Sequence, residues 1–439
     1  METAFEQGAD LESKRDSGKT PLMVAITWSR PRSVEVLLTH KPGPDLHASS
    51  LGDSPLTLAV RYGGSQLLHM LLDAGITPRH RDAIEANKLI LHEIVRLNHV
   101  DILRRLLLYN LPINAKDAAG NTPLNCITTS TNPEIIRLLI QRGAYIDYKD
   151  NVGLTPLAWR VTLDDWEKAK LFLQLGACPD AQLSYMSGTP LHLACNIGSL
   201  EMIEALFLED FRMSGDAGIM GTIFQAACQR VDESRGSAHV VLEYLLEGPK
   251  FDPTMSSRHR GSNLSTACFF TDLQIVKRLV ELKVSINKED ILGRRPVHFV
   301  LYKGLELVEY LSTKGADFSA TDLMKRNVLH FGVASGRLEL VTYILDRNPD
   351  FVHREDCDGW TPFFWAVREC LLWGTESNQR GAITEALIVR GASIPTQAQG
   401  IDRQWTPYEL ARYYTLSGDI IKALAPTREA AQKSDYAAA

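Results

Sequence analysis

One stretch near the start of the chain carries most of the residues of a phosphate-binding loop. Such a loop needs a glycine, four variable residues and then Gly-Lys followed by Ser or Thr, so that backbone N–H groups and the lysine surround phosphate oxygens. Residues 13–20 read Ser-Lys-Arg-Asp-Ser-Gly-Lys-Thr, with serine where the first glycine is required. Polar residues precede the stretch, and Thr20 stands before Pro21 in the position of a helix cap. We interpret the stretch as a mimic, and nucleotide binding stays only as a second alternative function.

The histidines could also do chemistry, but their spacing does not favour it. His92, His192, His298 and His330 lie at least 32 residues apart, too far to share one ion by spacing alone. His92-Glu93 is not followed by a second histidine four residues on, as a zinc-protease helix requires. The sequence has no Gly-x-Ser-x-Gly elbow, and its carboxylates are spread out rather than paired. We therefore predict no catalytic residue, no metal site and no cofactor, and we expect that the protein is not an enzyme.

Composition limits the class of protein and its compartment. The 439 residues are 45% hydrophobic and 23% charged, with a net charge of −6, so neither nucleic acid nor an anionic membrane is expected as a direct partner. No apolar run reaches the roughly 18 residues that span a bilayer. The seven cysteines form no C-x-x-C pair, which is typical of reduced thiols used as small core residues. We expect an intracellular protein, cytoplasmic or nuclear.

The elements that must position any site are copies of one cassette. Residues 188–194 read Gly-Thr-Pro-Leu-His-Leu-Ala, in which threonine caps a helix and proline occupies its first turn. Nine of the eleven steps between the aligned apolar anchors are 32 to 35 residues long, and the other two are 40 and 45. The anchors are Leu22, Leu56, Leu91, Leu124, Leu157, Leu191, Phe224, Leu264, Val297, Leu329, Phe363 and Tyr408.

A period of 33 residues with Thr-Pro-Leu-His-x-Ala resembles the ankyrin repeat, which is a β-turn followed by two antiparallel helices. The stretches 325–330 and 358–362 look similar to filamentous-fungal ankyrin repeat proteins. The resemblance implies an all-α solenoid of about 12 helix-turn-helix units with β-hairpin tips. It also implies that the four aligned histidines bond neighbouring turns. Second helices are expected to end in glycine turns at Gly75, Gly143, Gly176, Gly315 and Gly391.

The resemblance divides the chain into three parts. Residues 1–17 are expected to form an incomplete N-terminal repeat or hairpin that is either frayed or covered by another chain. Residues 18–424 form the repeat array, and residues 425–439 are expected to be a disordered tail. Arg160 stands where the family buries alanine, and Arg295 replaces the cap threonine. The step of 40 reflects an insertion at 229–237 and a longer hairpin at 252–260, and the step of 45 reflects an insertion at 371–381. The insertions are either binding loops or neutral surface loops.

Partners of ankyrin repeats usually lie on the concave face, which is formed by the hairpin tips and the inner surface of each first helix. Exposed aromatic residues and arginines there are the types that dominate binding energy. Trp360 and Trp405 precede the last two caps, and the alternative is that each tryptophan only covers a neighbouring hairpin. Basic residues cluster at 258–260 and 294–295. The candidate partner-binding residues are Trp360, Trp405, Arg61, Tyr62, Tyr302, Lys303 and Arg294.

These observations predict a non-enzymatic module or adaptor that binds a protein partner on its concave face. The alternative is a regulatory subunit, such as a transcriptional co-regulator that acts through a DNA-binding partner. The sequence names neither the partner nor the oligomeric state.

Overall fold

The computed structural model divides the chain into two units, Met1–Arg212 and Met213–Ala439. The predicted incomplete repeat falls largely outside the described residues, and the predicted tail falls wholly outside them. Most of both insertions also lies there. The described residues are 10–14, 18–48, 50, 53–77, 89–109, 111–183, 188–207, 221–230, 238–248, 251–367, 379–392, 398–399, 404–406, 408–409 and 412.

The described part of the first unit consists of paired helices. A short π-helical stretch, Ala59–Gly63, joins α3 to α4, and a 3₁₀ turn, Pro123–Cys126, stands where the cap pattern predicts an α-helix. The helices are α1 Pro21–Thr27, α2 Pro31–Thr39, α3 Pro55–Leu58, α4 Gly64–Asp73, α5 Ile90–Arg96, α6 Val100–Leu106, α7 Pro133–Gln141, α8 Pro156–Thr162, α9 Trp166–Gln174, α10 Pro190–Ile197 and α11 Leu200–Phe207.

The second unit repeats the pattern and adds two antiparallel two-stranded hairpins, β1 with β2 and β3 with β4. A 3₁₀ turn, Pro349–His353, follows α19. The elements are α12 Ile223–Cys228, α13 Ala238–Glu247, β1 Ser256–Ser257, β2 Gly261–Ser262, α14 Asn263–Phe270, α15 Leu273–Glu281, α16 Pro296–Val300, α17 Leu305–Thr313, α18 Val328–Ala334, α19 Leu338–Arg347, α20 Pro362–Val367, α21 Arg380–Val389, β3 Ala398–Gln399 and β4 Gln404–Trp405.

The caps form as the cassette predicts. The Thr155 hydroxyl accepts the N–H of Ala158 at 3.2 Å and the Thr189 hydroxyl accepts that of His192 at 3.4 Å. Proline follows each cap and needs no hydrogen-bond acceptor in the first turn. Gly198 ends α10 with φ −78° and not in the left-handed region. A side chain on Gly198 would lie 2.9 Å from the Ala194 carbonyl, so glycine is needed there for close approach.

The aligned anchors form the core. Eleven of the twelve, from Leu22 to Phe363, are at most 2% exposed. In the second unit the first helices pack in a row, α12 to α14 to α16 to α18 to α20, and the second helices pack behind them. The predicted all-α stack of helix pairs is therefore confirmed within each unit. The five predicted glycine turns also form, with φ between 82° and 94°.

A carboxylate shapes each regular hairpin. One oxygen of Asp322 accepts the backbone N–H groups of Met324 and Arg326 at 3.0 and 2.9 Å. The Asp322 N–H in turn donates to the carbonyl of Arg326. The same pattern of bonds to the second and fourth residues onward occurs at Asp117, Asp150, Asp290 and Asp356.

Arg160, which the sequence marks as a departure from the family, belongs to a buried polar cluster. The 3₁₀ turn ends at Cys126, so the carbonyls beyond it have no helical partner. Arg160 donates to the Ile127 carbonyl at 2.6 Å, and Lys168 donates to the Thr129 carbonyl at 2.5 Å. Asp165 lies 3.5 Å from the first cation and 3.4 Å from the second. The arginine therefore replaces the backbone bonds that the shortened helix lacks.

Replacing Arg160 by alanine should lower the free energy of unfolding by about 3–5 kcal/mol, because it leaves Asp165 and a carbonyl buried with fewer partners. Arg160→Met keeps most of the side-chain volume and should lower the free energy of unfolding by less. Guanidinium denaturation followed by circular dichroism measures both. The control is Arg104→Ala, which breaks an ion pair with Glu134 between half-exposed side chains and should cost less than about 1 kcal/mol. Equal losses in the Arg160 and Arg104 variants would contradict this role.

Candidate functional site

Aromatic side chains recur along the first helices of three successive repeats in the second unit, α14, α16 and α18. Phe269 is the central ring, with centroid distances of 4.9 Å to Phe270, 5.6 Å to Tyr302 and 6.4 Å to Phe299. The contacts are edge-on, the geometry that the ring quadrupoles favour. Phe331 in α18 extends the same surface. We call these five rings the aromatic row.

The aromatic row borders a groove of about 250 Å³. Phe270 is 44% exposed at its edge, and Phe269, Phe299 and Tyr302 are partly exposed. His259, Arg260 and Arg294 also line the groove, and the described residues around it include no aspartate or glutamate. The groove is therefore apolar along its floor and cationic along its border.

Two arginines are fixed at the bases of successive hairpins. The Nε of Arg294 donates to Asp290 at 2.8 Å, and its guanidinium carbon lies 4.9 Å from the centre of the Phe299 ring. Arg326 repeats this arrangement one repeat later, with its Nε 2.7 Å from Asp322 and its guanidinium 5.1 Å from the Phe331 ring. Their side chains stay 27% and 23% exposed. Both cations are thus ordered without being fully covered.

Two further cations lie in or near the groove. Burial lowers the pKa of the half-buried Arg260 guanidinium. Burial also lowers the pKa of Lys303, whose charge is partly offset by Asp272. Arg260 is partly covered beside the groove, whereas Lys303 lies on the exposed surface.

The hairpin tips beside this face are apolar. Ile291 and Leu292 are 47% and 42% exposed, and Leu323 and Met324 are 70% and 43% exposed. The Leu323 N–H donates to the Leu292 carbonyl at 2.9 Å, and the Cys357 N–H donates to the Met324 carbonyl at the same distance. We call the four exposed side chains the tip ridge. Neighbouring hairpins are held together by backbone hydrogen bonds under it.

The structure brings two of the seven predicted residues, Arg294 and Tyr302, into this groove. Lys303 follows Tyr302 directly and is exposed. Trp360 is predicted to be an exposed partner contact, and the structure corrects this prediction. The side chain is only 7% exposed and packs against Phe364 with ring centroids 5.8 Å apart, because the hairpin folds it back onto α20. The backbone of Trp405 lies in β4, and its side chain falls outside the described residues.

Arg61 and Tyr62 lie in the first unit, within the π-helical stretch after α3. The guanidinium of Arg61 pairs with Asp53 at 3.1 Å, and Tyr62 is 47% exposed. They form a smaller exposed pair in the first unit.

Sequence reasoning missed most of the aromatic row. Phe299 and Phe331 stand two residues after their anchors, and so does Trp365, whose ring lies 5.7 Å from the Arg326 guanidinium. Three consecutive repeats therefore carry an aromatic residue at the same position. Aligning the repeats column by column would have revealed this signal.

Three of the four aligned histidines bond neighbouring turns as expected. The Nε2 atoms of His92 and His330 lie 2.9 and 3.0 Å from the carbonyls of Asn121 and Trp360, and that of His298 lies 3.4 Å from the Ala320 carbonyl. The Nδ1 atom of His192 lies 2.8 Å from the hydroxyl of its own cap, Thr189. Burial lowers the pKa of His92, His298 and His330.

The described residues contain no group of His, Cys, Asp and Glu side chains that could hold a metal ion. Burial raises the pKa of the Cys126 thiol to about 11, and Cys195, Cys228 and Cys268 are buried as predicted. Cys178 and Cys357 are exposed. Among the helices of the described part, none is long and apolar enough to cross a membrane.

Comparison with known proteins decides the family. A family model described as "Ankyrin repeats (3 copies)" matches residues 2–82, 91–183, 264–355 and 297–377. A second model, "Ankyrin repeat", matches residues 188–210. The chain belongs to the ankyrin repeat family. The cap, anchor and histidine positions are thus the scaffold that the repeats of this ankyrin chain share.

Individual relatives match over limited stretches. "Ankyrin repeat domain-containing protein SAT10" of the fungus Stachybotrys chartarum is 26% identical over 223 residues, which are 48% of this chain and 11% of that protein. "Probable 26S proteasome regulatory subunit p28" of Saccharomyces cerevisiae is 30% identical over 106 residues, 24% of this chain and 46% of that protein. "NF-kappa-B inhibitor cactus" of Drosophila melanogaster is 24% identical over 182 residues, 42% of this chain and 35% of that protein. The matches span less than half the length of each relative.

Acidification from pH 7.5 to 5 should destabilise the fold through the three buried histidines. Burial lowers the pKa of each histidine in the folded chain, so below the ordinary pKa of about 6.5 the unfolded chain binds more protons than the folded chain and stability falls as pH falls. The loss is up to about 1.4 kcal/mol per pH unit for each histidine. Guanidinium titrations at several pH values measure it.

His330→Gln should reduce the dependence of stability on pH by the share of one histidine. The control Tyr145→Ala removes an exposed side chain and no histidine, so it should leave that dependence unchanged. Most carboxylates titrate near pH 4, so the interval above pH 5 isolates the histidines. The same pH dependence in His330→Gln and Tyr145→Ala would contradict this interpretation.

Proposed function

We propose that the chain is a non-catalytic adaptor that binds a protein partner on the inner face of the second unit. Ankyrin repeats are protein–protein interaction modules, and the groove beside the aromatic row supplies a place for a partner side chain. The observation that carries the proposal is the aromatic row itself, where partly exposed rings and ordered arginines meet on one surface. Aromatic residues and arginine are the types that most often dominate binding energy.

Two energetic arguments favour this face over the exposed pair Arg61 and Tyr62. The arginines are already held by buried carboxylates, so a partner does not have to order them, and little side-chain entropy is lost. The Tyr302 ring combines a large apolar surface with a hydroxyl at its edge. The pair Arg61 and Tyr62 has the same residue types but one exposed ring, which makes it a secondary contact in this proposal.

A regulatory role is the second candidate. Two of the relatives carry the words "inhibitor" and "regulatory subunit" in their names, although each matches only part of this chain. A transcriptional co-regulator would use the same face to hold a DNA-binding protein and would not contact DNA itself. This candidate differs from a cytoplasmic scaffold in where the protein acts.

Tyr302→Ala should weaken partner binding at least about tenfold, as expected for an aromatic residue at the centre of an interface. Affinity capture of the full chain from its native host, followed by quantitative mass spectrometry, identifies the partner, and calorimetry then gives Kd. Tyr145→Ala is the matched control, because Tyr145 is 63% exposed in the first unit. A partner lost with Tyr145→Ala and kept with Tyr302→Ala would overturn the assignment of the face.

The co-regulator candidate gives a separate expectation. Fluorescently tagged full-length protein should be enriched in the nucleus, and chromatin immunoprecipitation should recover it at discrete loci. Both localisations require the partner, so Tyr302→Ala should abolish the chromatin signal. Exclusion of the wild-type protein from the nucleus would leave the scaffold and reject the co-regulator.

A further inference from the structure

We infer that the segment bound by the groove is acidic, with an apolar side chain between its carboxylates. The inference rests on the proposed function and specifies the chemistry of the partner. The apolar side chain enters the groove beside Phe269, and the carboxylates contact the arginines along its border. The observations behind it are the charge around the groove, the way the cations are held and the apolar surfaces on both sides.

The charged side chains that line the groove are all basic, while the buried carboxylates of Asp290 and Asp322 offset part of the charge of Arg294 and Arg326. Arg260 and Arg294 line it together with His259, and no acidic side chain lies among its described lining residues. Arg326 lies one repeat beyond Arg294 in the same orientation over its own ring. The whole chain carries a net charge of −6. An acidic segment is therefore repelled by the protein as a whole and attracted at this groove, which favours one docking position.

The ion pairs leave each arginine able to bind a second carboxylate. In Arg294, Nε and Nη2 both contact the same oxygen of Asp290 at 2.8 Å. In Arg326, Nε and Nη2 likewise contact one oxygen of Asp322, at 2.7 and 2.5 Å. A guanidinium has five N–H donors in a planar fork, so the remaining edge can take a partner carboxylate without breaking the existing pair.

The aromatic row and the tip ridge indicate that the bound segment carries an apolar side chain. Ligand pockets for whole small molecules are commonly about 300–1,000 Å³. A groove of about 250 Å³ accepts one large side chain more readily than a cofactor. The tip ridge, with Leu323 70% exposed, offers a second apolar contact beside the same hairpins. An apolar residue of the segment can therefore enter the groove while its acidic neighbours contact the arginines.

A cationic segment does not fit this site. Aromatic rings can hold an ammonium or methylated lysine on their faces. Here guanidinium groups already lie over Phe299, at 4.9 Å, and over Phe331, at 5.1 Å. A second cation would meet like charge without a carboxylate among the described lining residues. The geometry thus selects against basic partners as well as for acidic ones.

The experiment selects random twelve-residue segments, displayed on phage, on the immobilised full-length protein. The selected pool should be enriched in Asp and Glu around a Leu, Phe or Trp. Fluorescence anisotropy of selected synthetic peptides should give at least tenfold weaker binding when glutamates are replaced by glutamines. Raising salt should weaken the glutamate peptide more than the glutamine peptide. Selection of neutral or basic segments would overturn the inference.

Arginine variants assign the contact to this groove. Arg294→Gln and Arg326→Gln should each weaken the acidic peptide about tenfold or more. Both changes leave a buried aspartate without its cation, so a third variant, Arg260→Gln, changes another arginine that lines the groove, and thermal melting confirms that each protein folds. Arg278→Gln is the control, because Arg278 is 52% exposed on α15. Equal affinity in Arg260→Gln and wild-type protein, with Arg294→Gln also unchanged, would overturn the inference.

Three outcomes separate this inference from the proposed function. Selected segments that are not acidic but depend on Tyr302 leave the proposed function intact and reject the acidic partner. Binding that is unaffected by Tyr302→Ala, or no selection at all, rejects both. Tenfold tighter binding of a phosphoserine peptide, or displacement of the acidic peptide by single-stranded oligothymidylate, would assign the arginines to phosphate and reject the carboxylate partner.

Discussion

A buried carboxylate at four of the five regular hairpins, those of Asp150, Asp290, Asp322 and Asp356, is the interaction on which the proposed binding face depends. Taking a carboxylate out of water is costly unless hydrogen bonds and a cation or polar partner replace the lost hydration. One oxygen of Asp290 accepts two backbone N–H groups and shapes the turn. The other oxygen requires a side-chain donor, and the residue that supplies it differs between repeats. The backbone of the hairpin is therefore the same in these repeats, whereas the side chain that bonds the second carboxylate oxygen differs.

The identity of that donor changes the chemistry of the face. In two repeats a tryptophan indole supplies it, Trp159 to Asp150 at 2.6 Å and Trp365 to Asp356 at 2.9 Å. An indole N–H satisfies the oxygen but leaves its charge. At Asp290 and Asp322 an arginine supplies the bond, neutralises the charge and spreads over the adjacent ring. The two arginine repeats thus pair the buried anion with a cation whose outer edge is partly exposed.

The scaffold could be predicted from the sequence because it rests on local rules repeated many times. Thr189 caps α10 through a bond within its own first turn, and burial of Leu191 follows from its place in the cassette. Repetition at 33 residues then fixes which helices are neighbours. Arg160 was identified as a departure, but its role depends on the helix before it ending at Cys126. No local rule contains that information, because the Thr122 cap pattern predicts an ordinary helix there.

The site was less predictable because it depends on which side chains meet between repeats. Trp360 occupies a tip position, yet backbone bonds to Asp356 turn it inward. Phe269 ends its helix in one repeat and touches Tyr302 of the next. Such contacts are set by how the inner helices pack side by side, and the backbone bond from Leu323 to Leu292 holds the hairpins beside them in register. In the proposed binding face the rings and cations belong to one pre-ordered surface, so a partner would gain several contacts for a single loss of translational freedom. Under that proposal, binding strength comes from the alignment of successive repeats more than from any one residue.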